Sequence, residues 1–375
     1  MKFVYFTHSL ASCWNHGNAH FLRGVLRALH AHGHATAAWE PAKGWSRENL
    51  LRDHGVAGMA AFHAAYPDLH ARTYTMPAEV EAALDGADVV IAHEWNEPWL
   101  IATLGRVRRR AGSRFLLLFH DTHHRAVSDP DTLRTFDLED YDGILAFGEA
   151  LAAVYRRWGW GGRAFVWHEA ADITLFRPPM PADAPRHGLV WIGNWGDDER
   201  SAELETFLLR PARALGMGLD IHGVRYPPYA LATLASYGAR YRGWVPNVHV
   251  PKIFARHAAT VHVPRRFYVD ALPGIPTIRV FEALACGIPL VSAPWRDDEG
   301  LFRAGEHYLA APDEAGMIRH LRDLRDDPIL RVTLADAGRR AIEAGHSCAH
   351  RAAELLDIVA AIGGDRRSAL PETAA

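Results

Sequence analysis

The sequence has few of the features that mark secreted, membrane-spanning or nucleic-acid-binding proteins. Its 375 residues include three cysteines, an odd number at wide spacing, which is typical of reduced thiols rather than a disulfide framework. No run of 18 apolar residues occurs, so we expect no transmembrane segment. The net charge of −3 gives no support for a nucleic-acid partner. The first residues indicate a strand rather than a signal peptide, and we therefore predict a cytoplasmic protein.

The length and composition indicate two globular α/β domains. Hydrophobic residues make up 49% and charged residues 23% of a chain that is too long for one ordinary core. Short apolar runs alternate with helical patterns, which predicts parallel sheets covered by helices. We predict a first domain at 1–178, a proline-rich linker at 179–187 and a second domain at 188–347. A final helix at 348–362 could return to the first domain, and 363–375 is expected to be a flexible tail.

Polar clusters follow several predicted strands, where doubly wound sheets bind their ligands. His120 and Asp121 come directly after a fully apolar strand. Because imidazole titrates near neutrality, His120 is a candidate general base with Asp121 beside it. Glu94, after another strand, is an alternative base. Two alternatives stay open. The histidines of the His120 cluster could cap a helix, and Glu94 could be a loop carboxylate without a chemical role. The segment 120–124 contains three histidines. Their spacing matches no zinc pattern, and we predict no metal site.

The loop after the first strand is a candidate site for a phosphate or an acceptor. It contains His16, Gly17 and Asn18. Gly17 would allow a ligand to approach the backbone closely, and Asn18 is suited to cap the helix that follows. A purely structural role, in which Gly17 only turns the chain and Asn18 only caps, is the alternative.

The segment 274–289 is the most informative part of the chain. It predicts a short apolar helix that ends at a glycine and a proline. Thr277 and the residues before it offer backbone N–H groups and a hydroxyl to an anion. Glu282 places a carboxylate in this helix, and a carboxylate can accept hydrogen bonds from a diol. An anion-binding helix start together with such a carboxylate suits a sugar nucleotide. The spacing equally allows a buried helix with one ion pair between Arg279 and Glu282 at i, i+3.

Three motifs resemble the group-1 superfamily of GT-B glycosyltransferases, particularly its CgeB-like branch. They are the Glu-Ala-Leu-Ala-Cys-Gly-Ile-Pro signature at 282–289, the segment at 168–178 and the strand with His-Asp at 115–121. The resemblance implies an α/β fold of the GT-B type, in which two doubly wound Rossmann-like domains face each other across a cleft. It also implies transfer of a sugar from a nucleotide-diphosphate sugar to an acceptor hydroxyl. The acceptor would bind to the domain at 1–178 and the nucleotide sugar to the domain at 188–347.

The resemblance assigns roles at the donor site. Glu282 would accept hydrogen bonds from the ribose hydroxyls, the backbone around Thr277 and Ile278 would hold the diphosphate, and 243–245 would lie near the nucleobase. The predicted donor-site residues are Glu282, Thr277, Ile278, Arg279, Arg200, Gly193, Asn194, Trp244 and Val245.

The chain departs from the family pattern at one position that matters for the chemistry. Group-1 retaining enzymes usually carry a second glutamate eight residues before the first, and here Gly274 occupies that position. The departure leaves the donor-sugar contact and the stereochemistry open. Arg200 and Arg279 are the substitutes for the family's basic pair, which is not plainly present.

We therefore predict a metal-independent glycosyltransferase that has a nucleotide sugar as co-substrate and no bound cofactor. Its acceptor, a small molecule, a glycan or a surface group, is not defined by the sequence. Two alternatives belong to other classes. A nucleotide-sugar 2-epimerase shares the two-domain fold but needs acid and base carboxylates around the donor sugar. A non-catalytic, carbohydrate- or surface-associated binding protein would need neither.

Overall fold

The structure, a computed structural model, contains two parallel β-sheets covered by helices. The predicted proline-rich linker lies largely outside the residues that the structure describes. Among the described residues, no helix combines the length and the apolar character that crossing a bilayer requires. The described residues are 1–110, 114–178, 186–196 and 198–369, with side chains as far as 364.

The first sheet has seven parallel strands. They are β1 (Lys2–Phe6), β2 (Ala35–Pro41), β3 (Ala71–Tyr74), β4 (Val89–His93), β5 (Leu116–Asp121), β6 (Gly143–Ala146) and β7 (Ala164–Val166). Their order across the sheet is β3-β2-β1-β4-β5-β6-β7. The direction of winding reverses between β1 and β4, which is where doubly wound sheets open a crevice for a ligand.

The second sheet has six strands and the same type of winding. They are β8 (Leu189–Ile192), β9 (Leu219–His222), β10 (Arg240–Gly243), β11 (Ala259–His262), β12 (Leu290–Ser292) and β13 (Leu309–Ala310). Their order is β10-β9-β8-β11-β12-β13, and the named pairs are parallel. The corresponding reversal lies between β8 and β11.

Helices cover both faces of each sheet, and the buried apolar side chains form four clusters, two per sheet. The inner strands are buried on both faces, as expected for parallel sheets. The helices of the first half are α1 (Ala19–Ala31), α2 (Trp45–His54), α3 (Ala60–Ala65), α4 (Pro77–Ala83), α5 (Pro98–Arg110), α6 (Arg125–Ser128), α7 (Pro130–Arg134) and α8 (Glu149–Tyr155). The helices that follow are α9 (Ser201–Leu204), α10 (Arg210–Ala214), α11 (Pro228–Ser236), α12 (Val250–Phe254), α13 (Arg266–Asp270), α14 (Ile278–Ala285), α15 (Glu314–Asp326), α16 (Pro328–Gly345) and α17 (Cys348–Ala369).

The last helix, α17, packs against α1 of the first half. Gly24 allows the two helices to approach closely, since a Cβ at this position would lie 2.5 Å from the Sγ of Cys348. The chain just before α17 also pairs with the segment that leaves the first sheet. Ala171 and Ser347 form an isolated parallel bridge, and the N–H of Cys348 donates to the Ala171 carbonyl over 2.9 Å. The apolar stripe of α17 in this core consists of Cys348, Ala352, Leu355, Val359 and Ile362.

Candidate functional site

A cavity of about 230 Å³ lies between the two sheets, at the carboxyl ends of their strands. We call it the cleft cavity. It is lined by the loop after β1, by residues at and after the ends of β8, β9, β10 and β11, and by the start of α14. Both strand-order reversals therefore contribute to it, as expected for a ligand site in this class of sheet.

Most of the predicted binding residues line the cleft cavity. Residues far apart in the sequence are brought together there because each sheet delivers its loops to the same edge. The predicted residues in the lining are His16, Gly17, Asn18, Gly193, Asn194, Arg200, Trp244, Val245, Thr277, Ile278 and Arg279.

The two halves touch directly beside the cavity. The Nδ2 of Asn194 donates to the Oδ1 of Asn15 over 2.9 Å, and the Nδ2 of Asn247 donates to the Gly17 carbonyl over 2.9 Å. A Cβ at Gly17 would lie 3.0 Å from the Cγ2 of Ile278. The glycine is thus required by a close approach between the two halves, rather than by a turn alone.

Asn18 stands at the N-cap position of α1, but its side chain makes no capping hydrogen bond. Its Nδ2 instead donates to the Oγ1 of Thr122 over 2.8 Å, across to the loop after β5. Asn18 therefore occupies the predicted N-cap position, but its side chain does not cap the helix. Its side chain connects two loops at the wall of the cavity.

Arg200 is a buried cation at the cavity wall. It is 8% exposed, and its guanidinium donates to the carbonyls of Val263 (2.8 Å) and Asn194 (2.9 Å). The Nε has no hydrogen-bond partner, and no carboxylate of the described chain lies within ion-pair distance. Burial lowers the pKa of Arg200 to about 10, with the positive charge of Arg265 adding to the effect. The group still carries its charge near neutral pH.

Arg265 is a cavity residue that sequence reasoning missed. It follows β11 and the cavity lining includes it, while its Nε lies 3.0 Å from a Glu199 carboxylate oxygen. The sequence signal that could have identified Arg265 is its position just beyond a strand that borders the winding reversal. Together with Arg200 and Arg279, it gives the lining three arginines. Among the described lining residues there is no Asp or Glu, so the cavity strongly favours an anion.

His262, also missed, lies at the end of β11. Its Nδ1 is 3.0 Å from the Ser292 hydroxyl and its Nε2 is 3.3 Å from the Thr277 hydroxyl. Burial lowers the pKa of His262 to about 3, and the nearby Arg200 contributes. The imidazole is therefore neutral near pH 7. It orients the Thr277 hydroxyl at the start of α14 without adding charge.

The lining also contains apolar and aromatic side chains. Trp244, Val224 and Val250 are among them. The indole Nε1 of Trp244 donates to the Cys13 carbonyl over 3.5 Å, from one half to the other. A lining that combines aromatic and apolar side chains with arginines suits a ligand with a planar ring and an anionic group.

Glu282 requires a correction. Its side chain is fully buried, it does not line the cavity, and one carboxylate oxygen is 2.7 Å from the Nδ1 of His20 in α1. The other oxygen pairs with Arg279 in the same helix. The predicted role as ribose acceptor is wrong for this arrangement, because α14 turns this face toward α1. The alternative interpretation, a buried helix with an i, i+3 ion pair, describes the structure.

The start of α14 also differs in part from the prediction. Thr277 and Ile278 line the cavity, but the buried Glu169 carboxyl lies near the backbone N–H of Ile278. Burial raises the pKa of this carboxyl well above its usual range. A diphosphate would have to share this N–H with the Glu169 carboxyl. Anion binding at this edge would depend on the Thr277 hydroxyl and on the arginines.

The predicted catalytic group is the second correction. The strand β5 continues through Asp121, so His120 and Asp121 point to opposite faces of the sheet. His120 is buried against Trp167, with its Nδ1 hydrogen-bonded to the Tyr5 hydroxyl. Asp121 accepts from the Tyr155 hydroxyl over 2.7 Å on the other face. Neither lines the cavity, and burial lowers the pKa of His120 to about 3. The pair cannot act together as predicted.

Glu94 is likewise buried and absent from the cavity lining. One carboxylate oxygen lies 3.4 Å from the Nε of Arg125. Burial raises the pKa of Glu94, and the nearby Asp121 carboxylate adds to the effect. Glu94 therefore does not serve as a base at this cavity.

The backbone conformation at position 274 explains why glycine, rather than the family's second glutamate, occupies it. Gly274 has φ of 89°, a left-handed conformation that favours glycine. A Cβ there would also lie 3.1 Å from the Cβ of Asp298. No described group of three or more His, Cys, Asp or Glu side chains has the arrangement of a metal site.

Comparison with known proteins finds a family model that matches part of the chain. Residues 200–357 match a family model described as glycosyl transferase-like. The match covers most of the second half of the chain, including Arg200 and α14. No curated protein sequence matched the chain.

Solved structures then show the fold, and the predicted GT-B architecture is confirmed. Anabaena HepE in complex with UDP is similar with a TM-score of 0.66 at 14% identity, over 96% of this chain and 100% of that one. Sucrose-phosphate synthase from Thermosynechococcus elongatus gives 0.66 at 15% identity, over 97% and 100%. An alpha-glucosyltransferase in complex with UDP gives 0.69 at 10% identity, over 96% and 99%.

Proposed function

We propose that this protein is a glycosyltransferase that holds a nucleotide-diphosphate sugar in the cleft cavity and transfers the sugar to an acceptor hydroxyl without a divalent metal. The glycosyl transferase-like match over 200–357 supports the reaction class. Two of the similar structures contain UDP, one being HepE and the other an alpha-glucosyltransferase. These likenesses make UDP the first nucleotide to test.

The unneutralised charge of Arg200 is the observation that carries the proposal. A buried charge is costly unless an opposite charge or full hydrogen bonding compensates it. Arg200 has carbonyl partners but no carboxylate, and its Nε is unpaired. A diphosphate in the cavity would supply the missing negative charge through charge-assisted hydrogen bonds. Trp244 and the apolar side chains of the lining would then take the nucleobase.

The same arrangement suits the chemistry of the departing group. Fixed positive charge stabilises the negative charge that builds up on a leaving nucleoside diphosphate. Arg200 provides that charge without a carboxylate partner, and Arg265 and Arg279, which pair with Glu199 and Glu282, add hydrogen-bond donors from two other segments. This supports a mechanism in which arginines take the place of a metal ion. The contacts between the two halves would keep water from the activated sugar.

The cavity lining argues against the epimerase alternative. An epimerase needs acid and base carboxylates around the donor sugar, and the described lining contains neither Asp nor Glu. The non-catalytic alternative differs from a transferase in turnover. Product analysis with a nucleotide sugar, in the presence and absence of acceptors, distinguishes the two.

Isothermal titration calorimetry with UDP, ADP, GDP, CDP and dTDP tests the donor site. We expect binding of at least one of these, and Arg200→Ala should weaken it at least about tenfold, since a charged hydrogen bond contributes about 1.5–3 kcal/mol. Arg200→Lys, which keeps the charge, should lose less. Arg319→Ala, on the exposed side of α15, is the matched control and should bind like the wild type.

Thermal unfolding of each variant separates lost binding from lost folding. A folded Arg200→Ala variant with wild-type affinity would remove the main support for the proposal. Wild-type protein that binds no nucleoside diphosphate would overturn it.

A further inference from the structure

A second cavity, of about 550 Å³, lies beside the cleft cavity. It is lined by Trp195, Asp198, Arg225, Tyr226, Pro227 and Tyr229, and we call it the aromatic cavity. Tyr226 forms the wall between the two cavities. Its hydroxyl donates to the Gly193 carbonyl over 2.9 Å and accepts from the Trp191 Nε1 over 3.1 Å, and both of these residues line the cleft cavity.

Three aromatic side chains line the aromatic cavity, and Tyr229 is the most exposed of them, since Trp195 is only 3% exposed. The ring of Trp195 lies 6.1 Å from that of Tyr226 and 6.5 Å from that of Tyr229. Tyr229 is 51% exposed, so its ring faces solvent. Sugar rings present flat patches of C–H groups with hydroxyls at the edge. Such patches pack on amphipathic aromatic side chains, while the hydroxyls need polar partners beside them.

Asp198 supplies such a polar partner. Its Oδ1 accepts from the Trp195 Nε1 (3.1 Å), from the Ser201 hydroxyl (3.2 Å) and from the Tyr229 hydroxyl. These bonds fix the carboxylate in place. The Oδ2 has no hydrogen-bond partner among the described residues, and the hydrogen bond from Tyr229 lowers the pKa of this carboxyl below its usual range. An ionised oxygen is therefore available to a sugar hydroxyl.

Two residues of this cavity have a left-handed backbone conformation, which is uncommon for Arg and more readily adopted by Asp. Asp198 has φ of 67° and Arg225 has φ of 60°. The third non-glycine residue with positive φ in the described chain is Asn15, which lines the cleft cavity. Strain of this kind clusters at ligand sites, where other interactions maintain it. It accompanies both cavities and no other part of the described chain.

We propose that the aromatic cavity binds a sugar unit of an oligosaccharide acceptor, while the reacting end of that acceptor reaches the cleft cavity. The proposal rests on the proposed function for the acceptor role, but not for the binding of saccharide itself. It identifies the acceptor class as an oligosaccharide or polysaccharide rather than a small aglycone.

Saturation-transfer NMR tests this with the full-length protein and four neutral probes: maltopentaose, cellopentaose, mannopentaose and chitopentaose. We expect saturation transfer to at least one probe. Tyr229→Ala removes the exposed ring, and Asp198→Asn removes the charge but keeps the shape; each should weaken probe binding about tenfold. Trp99→Ala, which removes another exposed ring (38% exposed) in α5, should bind like the wild type.

UDP titration of the same samples separates the two proposals. Unchanged UDP affinity in Tyr229→Ala, together with lost probe binding, supports a saccharide site distinct from the donor site. Wild-type protein that binds UDP but none of the four probes overturns the aromatic cavity as a saccharide site and leaves the proposed function standing. Probe binding that Tyr229→Ala and Asp198→Asn both retain overturns it as well. Probe binding without UDP binding supports the saccharide site and contradicts the proposed function.

Discussion

Two buried side chains of opposite charge type, Glu282 and Arg200, have different surroundings. Glu282 has a cation beside it, since one oxygen pairs with Arg279, while its other oxygen lies 2.7 Å from the His20 Nδ1 without a hydrogen bond. Arg200 meets only uncharged acceptors at a cavity wall. A buried group paired with an opposite charge indicates a structural role, whereas a buried charge without such a partner beside a cavity indicates a ligand. This difference places Glu282 at the interface between the halves and Arg200 at the proposed donor site.

Glu282→Ala should therefore reduce stability. The substitution leaves Arg279, whose side chain is 18% exposed at the cavity wall, without its partner. Breaking one side of a fully buried ion pair costs about 3–5 kcal/mol, and the partial exposure of Arg279 places the expected loss at or below the lower end of that range. Urea unfolding followed by circular dichroism measures the loss. Arg303 and Glu306 form an exposed pair with the same i, i+3 spacing, and Glu306→Ala should leave the unfolding curve unchanged. Equal curves for both variants would contradict the assignment of Glu282 to the interface.

Among the secondary-structure elements, the contact between α1 and α17 is the most sensitive to added volume. Gly24→Ala would place a methyl group 2.5 Å from the Cys348 Sγ and 2.8 Å from the Asp172 Cβ. Overpacking costs about 1–3 kcal/mol, which outweighs the gain of up to about 1 kcal/mol in helix propensity. We expect a lower urea midpoint. Gly363→Ala in α17, where a Cβ meets no atom within 4 Å, should raise the midpoint or leave it unchanged.

The buried strands could be predicted because a strand covered on both faces must be apolar along its length. Strand β3 could not, since it is an edge strand with mostly exposed side chains, and β13 has only two residues. The loops of the cleft cavity could be predicted because parallel strands deliver their ends to one edge. Which side of α14 faces the cavity could not, because tertiary packing sets the rotation of a helix. The sequence also predicted the end of β5 too early, for a related reason. The neighbouring strands β4 and β6 both pair with His120, so the strand continues through this residue.

For the molecule as a whole, buried histidines dominate the response to acid. Burial lowers the pKa values of His8, His20, His120 and His262 to about 3 each. The unfolded chain takes up these protons near pH 6.5, whereas the native chain does not until about pH 3. Each such group therefore costs stability as the pH falls through this window, by about 1.4 kcal/mol per pH unit.

Urea unfolding at pH 7.5, 6.5, 5.5 and 4.5 should show a steep loss of stability below pH 6.5. The Asp121 carboxyl acts in the opposite sense, since burial raises its pKa to about 6. Its contribution falls as the pH rises from about 3.8 to 6, so it offsets only part of the effect of the histidines. His120→Gln should reduce the slope of the free energy of unfolding against pH by the contribution of one histidine, about 1.4 kcal/mol per pH unit. A free energy of unfolding that stays constant over this range would contradict the pKa shifts.

The paired segments at Ala171 and Ser347 have a mechanical consequence. The polypeptide passes from one half to the other and back again, and the two passages are hydrogen-bonded side by side near the point of crossing. The two passages are tied together at this one point. A movement of one half relative to the other must therefore turn about Ala171 and Ser347 or break the hydrogen bonds that join the two passages there.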